Sequence, residues 1–382
     1  MTVRRTLQAG CAAALILTPV AAVPQRAGPQ APGTLISAEP MSGAPAGADA
    51  WRIRYVSRND SGAPEEVTGV VVAPRGAAPA GGRPVIAWAH GTWGVAEKCA
   101  PSTGNFFGAT PGLNAALARG YVFVATDYAG LGTPQPHPYL VGASAAHSML
   151  DSVRAARQVS GADAGQSFAA WGESQGAHAA LFAGELARDY APELKLVGIA
   201  AAAPPTDLVA NLTGGADPSV RAFLTAFTAD SWSRHFRIPL STIGRPATAR
   251  LIGRLAQNCL TIGKKPKLGT VVGILALRRD LRGVDLGKIQ PWARIARENS
   301  AGQRAPGGPL FIAQNSKDVI VSPTVTHAFA RRLCTRGARV RYMTMATPGG
   351  HVTSAADSAI ATLDWIGGRF AGAPAPSDCG RF

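Results

Sequence analysis

The chain has 382 residues, of which 46% are hydrophobic and 16% are charged, and 38 Lys and Arg against 23 Asp and Glu give a formal charge of +15. This composition excludes a disordered polyelectrolyte, because so much apolar surface can be buried in a large core. It also argues against nucleic-acid binding, since the charge is spread thinly and the chain lacks a zinc-ligand spacing, an aromatic RNA-binding motif and a basic heptad helix. We expect a globular protein without a nucleic-acid partner.

The amino terminus has the features of a signal peptide. Arg4 and Arg5 precede an apolar stretch at residues 7–17, and small residues at positions 20–22 predict cleavage near residue 22. The stretch is too short to span a membrane, and no later apolar run reaches about 18 residues. We therefore predict that residues 1–22 are a signal peptide, that the mature protein is secreted, and that it has no transmembrane segment.

Cysteine usage agrees with export. Cys11 lies inside the apolar stretch and not behind it, which argues against a lipoprotein anchor. Removal of the signal peptide leaves four cysteines, an even number that favours disulfides and allows three pairings. Metal binding is less favoured, because no two cysteines are close enough for a paired-ligand spacing, and we expect neither a metal nor a cofactor. The four are Cys99, Cys259, Cys334 and Cys379.

Short apolar strands alternate with helices along most of the chain, after an Ala-, Gly- and Pro-rich segment at residues 23–50 that is predicted to be a poorly ordered linker or a wrapped arm. Because parallel strands need a crossover, which is usually a helix, this alternation predicts an α/β fold with a mostly parallel sheet covered on both faces. Strands are predicted at residues 51–55, 67–73, 84–89, 121–126, 167–171, 194–200, 309–313 and 339–345, and helices at residues 113–119, 143–159, 175–189, 323–335 and 354–369.

One interval lacks the alternation. Residues 206–305 show helical patterns interrupted by Gly and Pro, and a span of about a hundred residues is not an ordinary loop. We predict an inserted, mainly helical cap or lid between two parts of the core, residues 51–205 and 306–382. The interval holds 16 Lys and Arg but six Asp and Glu, so most of the net charge falls within it.

The most informative motif is Gly-Glu-Ser-Gln-Gly at residues 172–176, which fits the pattern Gly-x-Ser-x-Gly. A nucleophile held at a tight turn between a strand and a helix needs small neighbours on both sides, so that its hydroxyl stands clear of the backbone. The predicted strand before the motif and the helix after it support this interpretation over an Ala- and Gly-rich helix start. Ser174 is the predicted nucleophile.

A serine nucleophile requires a base, and the base requires an orienting acid. His351 follows the last predicted strand on a Pro-Gly-Gly loop, and Asp318 follows the strand at residues 309–313, at the carboxyl end of the sheet. The order Ser, Asp, His along the chain is that of an α/β-hydrolase. Alternative roles are a loop histidine that caps a helix and a turn aspartate. Less favoured candidates lie in the predicted cap or within helices: His235, His327, Asp357 and Asp364.

The tetrahedral intermediate of acyl transfer needs two backbone donors. One is predicted to be the amide of Gln175, directly after the nucleophile, and the other to lie in the loop after the third predicted strand. In that loop Thr92 is preferred and Gly91 is a close second, while His90 is expected to anchor the loop.

Four ordered motifs carry a family resemblance that spans nearly the whole mature chain. They are WGESQGAHAA at residues 171–180, DYAGLGTPQPHPYL at 127–140, AHGTWGVAEKCAPS at 89–102 and YAPELKLVGIAAAAPP at 190–205. Together they resemble the secretory lipase family of α/β-hydrolases, whose well-known members are fungal lipases and related actinobacterial secreted enzymes.

The resemblance implies a triad of Ser174, Asp318 and His351, which agrees with the assignment made from the residues. It also implies two disulfides, of which the first would clamp the cap to the loop carrying the oxyanion donor: Cys99 to Cys259 and Cys334 to Cys379. Two features stand apart. Glu173 occupies a position where many relatives carry His, and residues 127–140 match well but suggest only a rigid loop that lines the pocket.

We expect a secreted serine ester hydrolase that cleaves acylglycerol-type or other lipidic esters through an acyl-serine intermediate, with peptidase activity disfavoured. An acyltransferase with the same triad and a non-catalytic protein that binds anionic lipid are the alternatives. The apolar segment at residues 268–277 suits an anionic lipid interface, although a buried cap helix with solvated ends is an equal interpretation. Its flanking cations are Lys264, Lys265, Lys267, Arg278 and Arg279.

Overall fold

The computed structural model describes residue 2 and residues 30–213, 217–260 and 266–382. The predicted signal peptide, apart from residue 2, and residues 23–29 of the predicted arm lie outside the described residues, as do Cys11, Lys264 and Lys265.

One sheet organises the described residues. Its nine strands lie in the order β1-β2-β3-β5-β4-β6-β7-β8-β9. Pairing is antiparallel from β1 to β3 and between β3 and β5, and it is parallel across the rest of the sheet. The strands are β1 Leu35–Pro40, β2 Ala48–Arg58, β3 Pro64–Pro74, β4 Arg83–Ala89, β5 Val122–Thr126, β6 Ala164–Glu173, β7 Lys195–Ala202, β8 Leu310–Asn315 and β9 Val340–Met345.

Helices cover the sheet and fill the connection between β7 and β8. Those predicted within the sheet core are confirmed to within a few residues at their ends, as are the predicted strands. The helices are α1 Phe106–Ala109, α2 Leu113–Ala118, α3 Gly142–Ala156, α4 Gln175–Tyr190, α5 Leu208–Thr213, α6 Pro218–His235, α7 Pro246–Ala256, α8 Leu268–Asp280, α9 Trp292–Glu298, α10 Pro323–Thr335 and α11 Ser354–Phe370.

The segment predicted as an arm is partly in the sheet. β1 pairs antiparallel with β2, and β2 begins at Ala48, so the prediction of a poorly ordered linker is wrong for these residues. β1 is a half-exposed edge strand that ends in proline and buries no continuous face. Its structure depends on the neighbouring strand, which local sequence does not report. The loop after β4 therefore follows the fourth strand and not the third.

Two buried layers sandwich the sheet. On one face, α3, α4 and α10 pack on the sheet through side chains such as Met149, Leu181 and Phe329. On the other face, α2 and α11 pack through side chains such as Leu117 and Leu363. Because both faces are covered, β5 and β8 are buried along their length, and β4, β6 and β7 are buried toward their carboxyl ends.

The connection between β7 and β8, here called the insertion (residues 206–305), has a core of its own. The regular secondary structure of its described residues is helical, and Phe227, Trp232 and Trp292 are fully buried between these helices. None of the helices in the part of the chain that the structure describes is long and apolar enough to cross a membrane.

Two disulfides tie the chain together, with the pairing that the family resemblance implies. Cys99 in the loop after β4 is bonded to Cys259 in the insertion. The amide of Leu260 also donates to the carbonyl of Trp93 at 2.8 Å, so the loop and the insertion are joined by a covalent bond and a hydrogen bond. Cys334 at the end of α10 is bonded to Cys379 near the carboxyl terminus.

Candidate active site

Ser174 stands at the sharp turn between β6 and α4. Its φ of 53° and ψ of −118° lie outside the conformations that L-residues ordinarily adopt, so the turn is strained. The flanking glycines permit it. A Cβ on Gly172 would lie 2.1 Å from the carbonyl oxygen of Gly176, and a Cβ on Gly176 would lie 1.8 Å from the carbonyl oxygen of Ala89. The glycines at positions 172 and 176 are therefore required sterically.

Ser174, His351 and Asp318 form a continuous hydrogen-bonded chain. His351 lies in a short 3₁₀ helix, Gly350–Thr353, directly before α11. Its Nδ1 lies 2.8 Å from Oδ2 of Asp318, and its Nε2 lies 2.9 Å from Oγ of Ser174. Since a carboxylate can only accept, Nδ1 donates to Asp318, and neutral Nε2 is left to accept the serine proton.

Asp318 is buried but held as a carboxylate. Its Oδ1 accepts the amides of Ile320 and Val321, each at 2.8 Å, and its Oδ2 also accepts Nε2 of Gln314 at 3.0 Å. Burial acts to raise the pKa of this carboxyl, but the hydrogen bond and charge of His351 together with the two amides outweigh burial and lower its pKa. The group is therefore ionised at neutral pH and able to orient His351.

The less favoured candidates lie elsewhere and have other partners. His235 pairs with Asp60, and His327 packs against Tyr342 and Phe382. Asp357 accepts hydrogen bonds from Thr347 and Thr353, and Asp364 forms an ion pair with Arg119.

Gln175 and Gly91 both lie beside the nucleophile. Gln175 is the first residue of α4, so its amide has no carbonyl partner within the helix. A Cβ on Gly91 would lie 3.8 Å from Cβ of Ser174, and Thr92 lines the same cavity as Ser174. His90 is buried and its Nδ1 donates to the carbonyl of Gly91 at 2.6 Å, which fits the anchoring role expected for it.

Glu173 places a second carboxyl group next to the nucleophile. Its Oε1 accepts the amide of Ala355 in the first turn of α11 at 3.0 Å. Burial raises its pKa to about 7, although the amide of Ala355 and the charge of His351 oppose the rise. The side chain thus ties the nucleophile turn to the segment that carries His351, and it changes charge near neutral pH.

Ser174 and His351 line a cavity of about 730 Å³. Its walls come from both the sheet core and the insertion, and they are largely aromatic and aliphatic. The apolar lining includes Trp88, Trp93, Phe106, Phe223, Leu260 and Ile274. A cavity of this volume accommodates an extended apolar group next to the serine hydroxyl. Within the described ranges, no three His, Cys, Asp or Glu side chains are grouped as metal ligands.

Sequence reasoning missed the contacts of the loop at residues 127–140. The structure brings the hydroxyl of Tyr139 within 2.8 Å of Oγ1 of Thr92, and Nε2 of His137 within 3.0 Å of Nε2 of Gln175. Both contacts join residues far apart in the chain. The available signal was the strength of the motif match in this loop, which had no assigned role.

The sheet order, the crossover helices and the turn that carries Ser174 define an α/β-hydrolase with a helical insertion before its eighth strand. The match to the family model described as "Secretory lipase", over residues 110–378, identifies the family. The chain belongs to the secretory lipase family and is a carboxylic ester hydrolase of the lipase type.

Individual relatives are distant. Lipase 6 of Candida albicans is 24% identical over 359 residues, which cover 87% of this chain and 74% of that protein. A Mycobacterium tuberculosis protein named as a probable inactive lipase is 25% identical over 349 residues, covering 85% of this chain and 74% of that one. Among solved structures, Candida antarctica lipase A superposes with a TM-score of 0.74 at 21% identity, covering 92% of this chain and 85% of that chain, which supports the fold.

Proposed function

We propose that this protein is a secreted lipase or esterase that hydrolyses lipidic carboxylic esters through an acyl intermediate on Ser174. His351 removes the proton from the serine hydroxyl as Oγ attacks the ester carbonyl, and it then protonates the leaving alcohol. Asp318 orients the imidazole and stabilises its charged form. Water, activated by the same histidine, cleaves the acyl-enzyme and releases the carboxylic acid.

The observation that carries this proposal is the pair of hydrogen bonds, 2.9 Å and 2.8 Å, that connects Ser174 through His351 to Asp318 at the wall of an apolar cavity. Family membership alone does not establish the acyl-serine mechanism, since one relative is named as a probable inactive lipase. The proposal therefore depends on this geometry, with Gln175 and either Thr92 or Gly91 as donors to the oxyanion.

The direct test is the hydrolysis of a short p-nitrophenyl ester by the Ser174→Ala variant. We expect the rate to fall by roughly 10⁴-fold or more, as happens when a triad nucleophile is removed. Ser152→Ala is a matched control, because Ser152 is buried in α3 and donates to the carbonyl of Met149 in its own helix. Retained activity in Ser174→Ala, with unchanged folding, would contradict the acyl-serine mechanism.

An acyltransferase would use the same residues and pass the acyl group to an alcohol. Turnover of an ester in water with a competing alcohol separates the two reactions, since a hydrolase releases mostly free acid. We expect free acid to predominate.

A specific observation supports a lipid interface as the site of action. α8 borders the cavity through Thr270 and Ile274, yet four of its apolar side chains are solvent-exposed. The interpretation of α8 as a buried cap helix is therefore not supported. The exposed side chains are Leu268, Val271, Val272 and Leu275, and the described cations that flank them are Lys267, Arg278 and Arg279. We propose that this face contacts anionic lipid.

The disulfides support the secreted location in this proposal. The two disulfides are typical of proteins that fold outside the cytosol. Amino-terminal sequencing of the exported protein tests the predicted signal peptide, with a mature terminus expected near residue 23. An exported protein that begins at residue 1 would contradict the predicted cleavage.

A further inference from the structure

The loop at residues 127–140, here called the β5–α3 loop, contacts two segments next to Ser174. These are residues 90–92 and Gln175. Its backbone is closely folded, since Tyr128 and Leu140 have positive φ and a Cβ on Gly130 would lie 2.3 Å from the amide nitrogen of His137. Asp127 fixes the start of the loop by accepting the hydroxyl of Thr68 at 2.7 Å. A loop held so closely is suited to position other groups.

Two tyrosines of this loop hold the segment His90–Gly91–Thr92 at both ends. The hydroxyl of Tyr128 donates to the carbonyl of His90 at 2.9 Å. The hydroxyl of Tyr139 lies 2.8 Å from Oγ1 of Thr92, in a hydrogen bond that either hydroxyl can donate. Burial raises the pKa of Tyr139 to about 12, so this phenol stays neutral at working pH.

Tyr139 is itself anchored in the insertion. Its amide donates to Oγ of Ser231 at 2.8 Å, and its carbonyl accepts Nε1 of Trp232 at 2.8 Å, both from α6. Its ring packs edge-on against Phe227 of the same helix, with centroids 6.3 Å apart. α6 therefore anchors Tyr139, whose hydroxyl in turn contacts Thr92.

The same loop also contacts Gln175, the other proposed oxyanion donor. His137 donates from Nδ1 to the carbonyl of Ala129 at 2.7 Å, so its Nε2 accepts from the side-chain amide of Gln175 at 3.0 Å. Burial lowers the pKa of His137 to about 3, which keeps the ring neutral and Nε2 free to accept. The β5–α3 loop thus contacts the side chains of both proposed oxyanion donors, Thr92 and Gln175.

We propose that Tyr139 is a positioning residue, whose hydroxyl holds Thr92 so that the backbone amide of Thr92 donates to the oxyanion. This inference rests on the proposed acyl-serine mechanism and adds a residue to it. A hydrogen bond that orients a transition-state donor contributes to kcat and leaves the binding of the ground-state ester largely unaffected.

Three variants isolate the hydroxyl pair: Tyr139→Phe, Thr92→Val and the double variant. Each single change removes one hydroxyl and conserves the shape of the side chain. We expect each to lower kcat on p-nitrophenyl butyrate by about 10- to 100-fold, with KM within about twofold of the wild-type value. Because both single variants break the same bond, the double variant should be no slower than the slower single variant.

Thr92→Ser provides the rescue, since it restores a hydroxyl at position 92 and should recover most of the kcat lost in Thr92→Val. Tyr190→Phe is the matched control. It removes a tyrosine hydroxyl that donates to Asp151 at 2.7 Å, at the far end of α4 from Ser174, and it should leave kcat unchanged.

Losses that multiply in the double variant, or a change in KM alone, would overturn the positioning role. A kcat for Thr92→Ser as low as that for Thr92→Val would do the same. Titration of active serines with a p-nitrophenyl phosphonate is run on every variant, so that kcat refers to folded enzyme. If the wild-type protein itself shows no phosphonate-reactive Ser174, the acyl-serine mechanism fails, and that outcome is distinct from the failure of Tyr139.

Discussion

The sheet core and the insertion differ in the residues that they contribute to the active site and to the surface. The core holds Ser174, Asp318 and His351 at the ends of buried strands, in a framework covered by helices on both faces. The insertion carries 16 Lys and Arg against six Asp and Glu, and its α8 exposes apolar side chains to solvent. From this comparison we propose that the core supplies the chemistry and that the insertion contacts the lipid phase.

The two regions are nevertheless joined at the active site. The disulfide Cys99–Cys259 and the bonds from α6 to Tyr139 connect the insertion to the loop that carries Thr92. Movement of α6 away from the core would therefore disturb that loop. Variants in each region show how far this division of roles holds.

The largest expected effects come from the core. His351→Ala and Asp318→Asn should each lower kcat by roughly 10⁴-fold, because the first removes the base and the second favours the wrong imidazole tautomer. The rates are measured on p-nitrophenyl butyrate. His327→Ala, which changes a histidine on α10 that packs against Tyr342, should leave the rate unchanged. Loss of activity in the control, or less than a tenfold loss in the two variants, would argue against the assignment.

The two disulfides can be compared by their contributions to the free energy of unfolding, since the first joins the insertion to the core and the second lies within the core. Loop-closure entropy assigns about 5 kcal/mol to Cys99–Cys259, whose cysteines are 160 residues apart, and about 4 kcal/mol to Cys334–Cys379, which are 45 apart. Paired Cys→Ser variants should both unfold at lower urea concentration. Loss of the first bond should also lower kcat, since it frees the loop that carries Thr92, whereas loss of the second should not. Equal effects on kcat would contradict this distinction.

The proposed contact of α8 with lipid is tested by the Val272→Ser and Leu275→Ser double variant. Losing two exposed apolar side chains should weaken partitioning onto phosphatidylglycerol vesicles by about 2 kcal/mol, roughly 30-fold, without affecting hydrolysis of a soluble ester. Ile360→Ser is the matched control, because Ile360 is 58% exposed, close to the 57% of Val272, but lies on α11 of the core. Equal loss of binding in the control would contradict a specific contact between α8 and the lipid.

The same vesicle-binding assay tests the contribution of the cations at the end of α8. Replacing Arg278 and Arg279 with Gln should weaken binding by about 1 kcal/mol for each cation at low ionic strength. The difference from wild type should shrink as salt is added, because added ions screen the attraction. Binding to neutral phosphatidylcholine vesicles should change little, and a loss of equal size there would exclude an electrostatic contribution.

The smallest expected effect concerns Glu173. Because folding raises its pKa to about 7, the native state retains this proton above the pKa of the unfolded chain and loses stability as pH rises through 7. The Glu173→Gln variant keeps an oxygen for the amide of Ala355 but cannot ionise. Between pH 6 and 7, wild-type unfolding free energy should therefore fall by about 1 kcal/mol relative to the variant. Parallel urea midpoints across this interval would contradict the buried-carboxyl account.

The strands and helices of the core were predictable because each is a short apolar run or an amphipathic helix bounded by turn residues. The nucleophile turn was predictable for a different reason, since Gly172 and Gly176 are imposed by contacts too close for any side chain. The candidates Ser174, Asp318 and His351 followed from their order along the chain and their positions after strands.

The rest depends on contacts that local sequence does not encode. β1 is an exposed edge strand that forms against β2, and its Pro- and Gly-rich surroundings resemble a linker. The placement of Tyr139 beside Thr92 and of His137 beside Gln175 arises from folding of the β5–α3 loop onto the core. Whether α8 was buried or exposed could not be decided from a segment that is apolar along most of its length.

The most direct test of the central claim is mass spectrometry of the enzyme after rapid acid quench during turnover of p-nitrophenyl butyrate. The account predicts a fraction of protein that carries one butyryl group, mapped by peptide sequencing to Ser174 and absent from the Ser174→Ala variant. Acylation of a different residue, or turnover by wild type with the label persisting in Ser174→Ala, would contradict it.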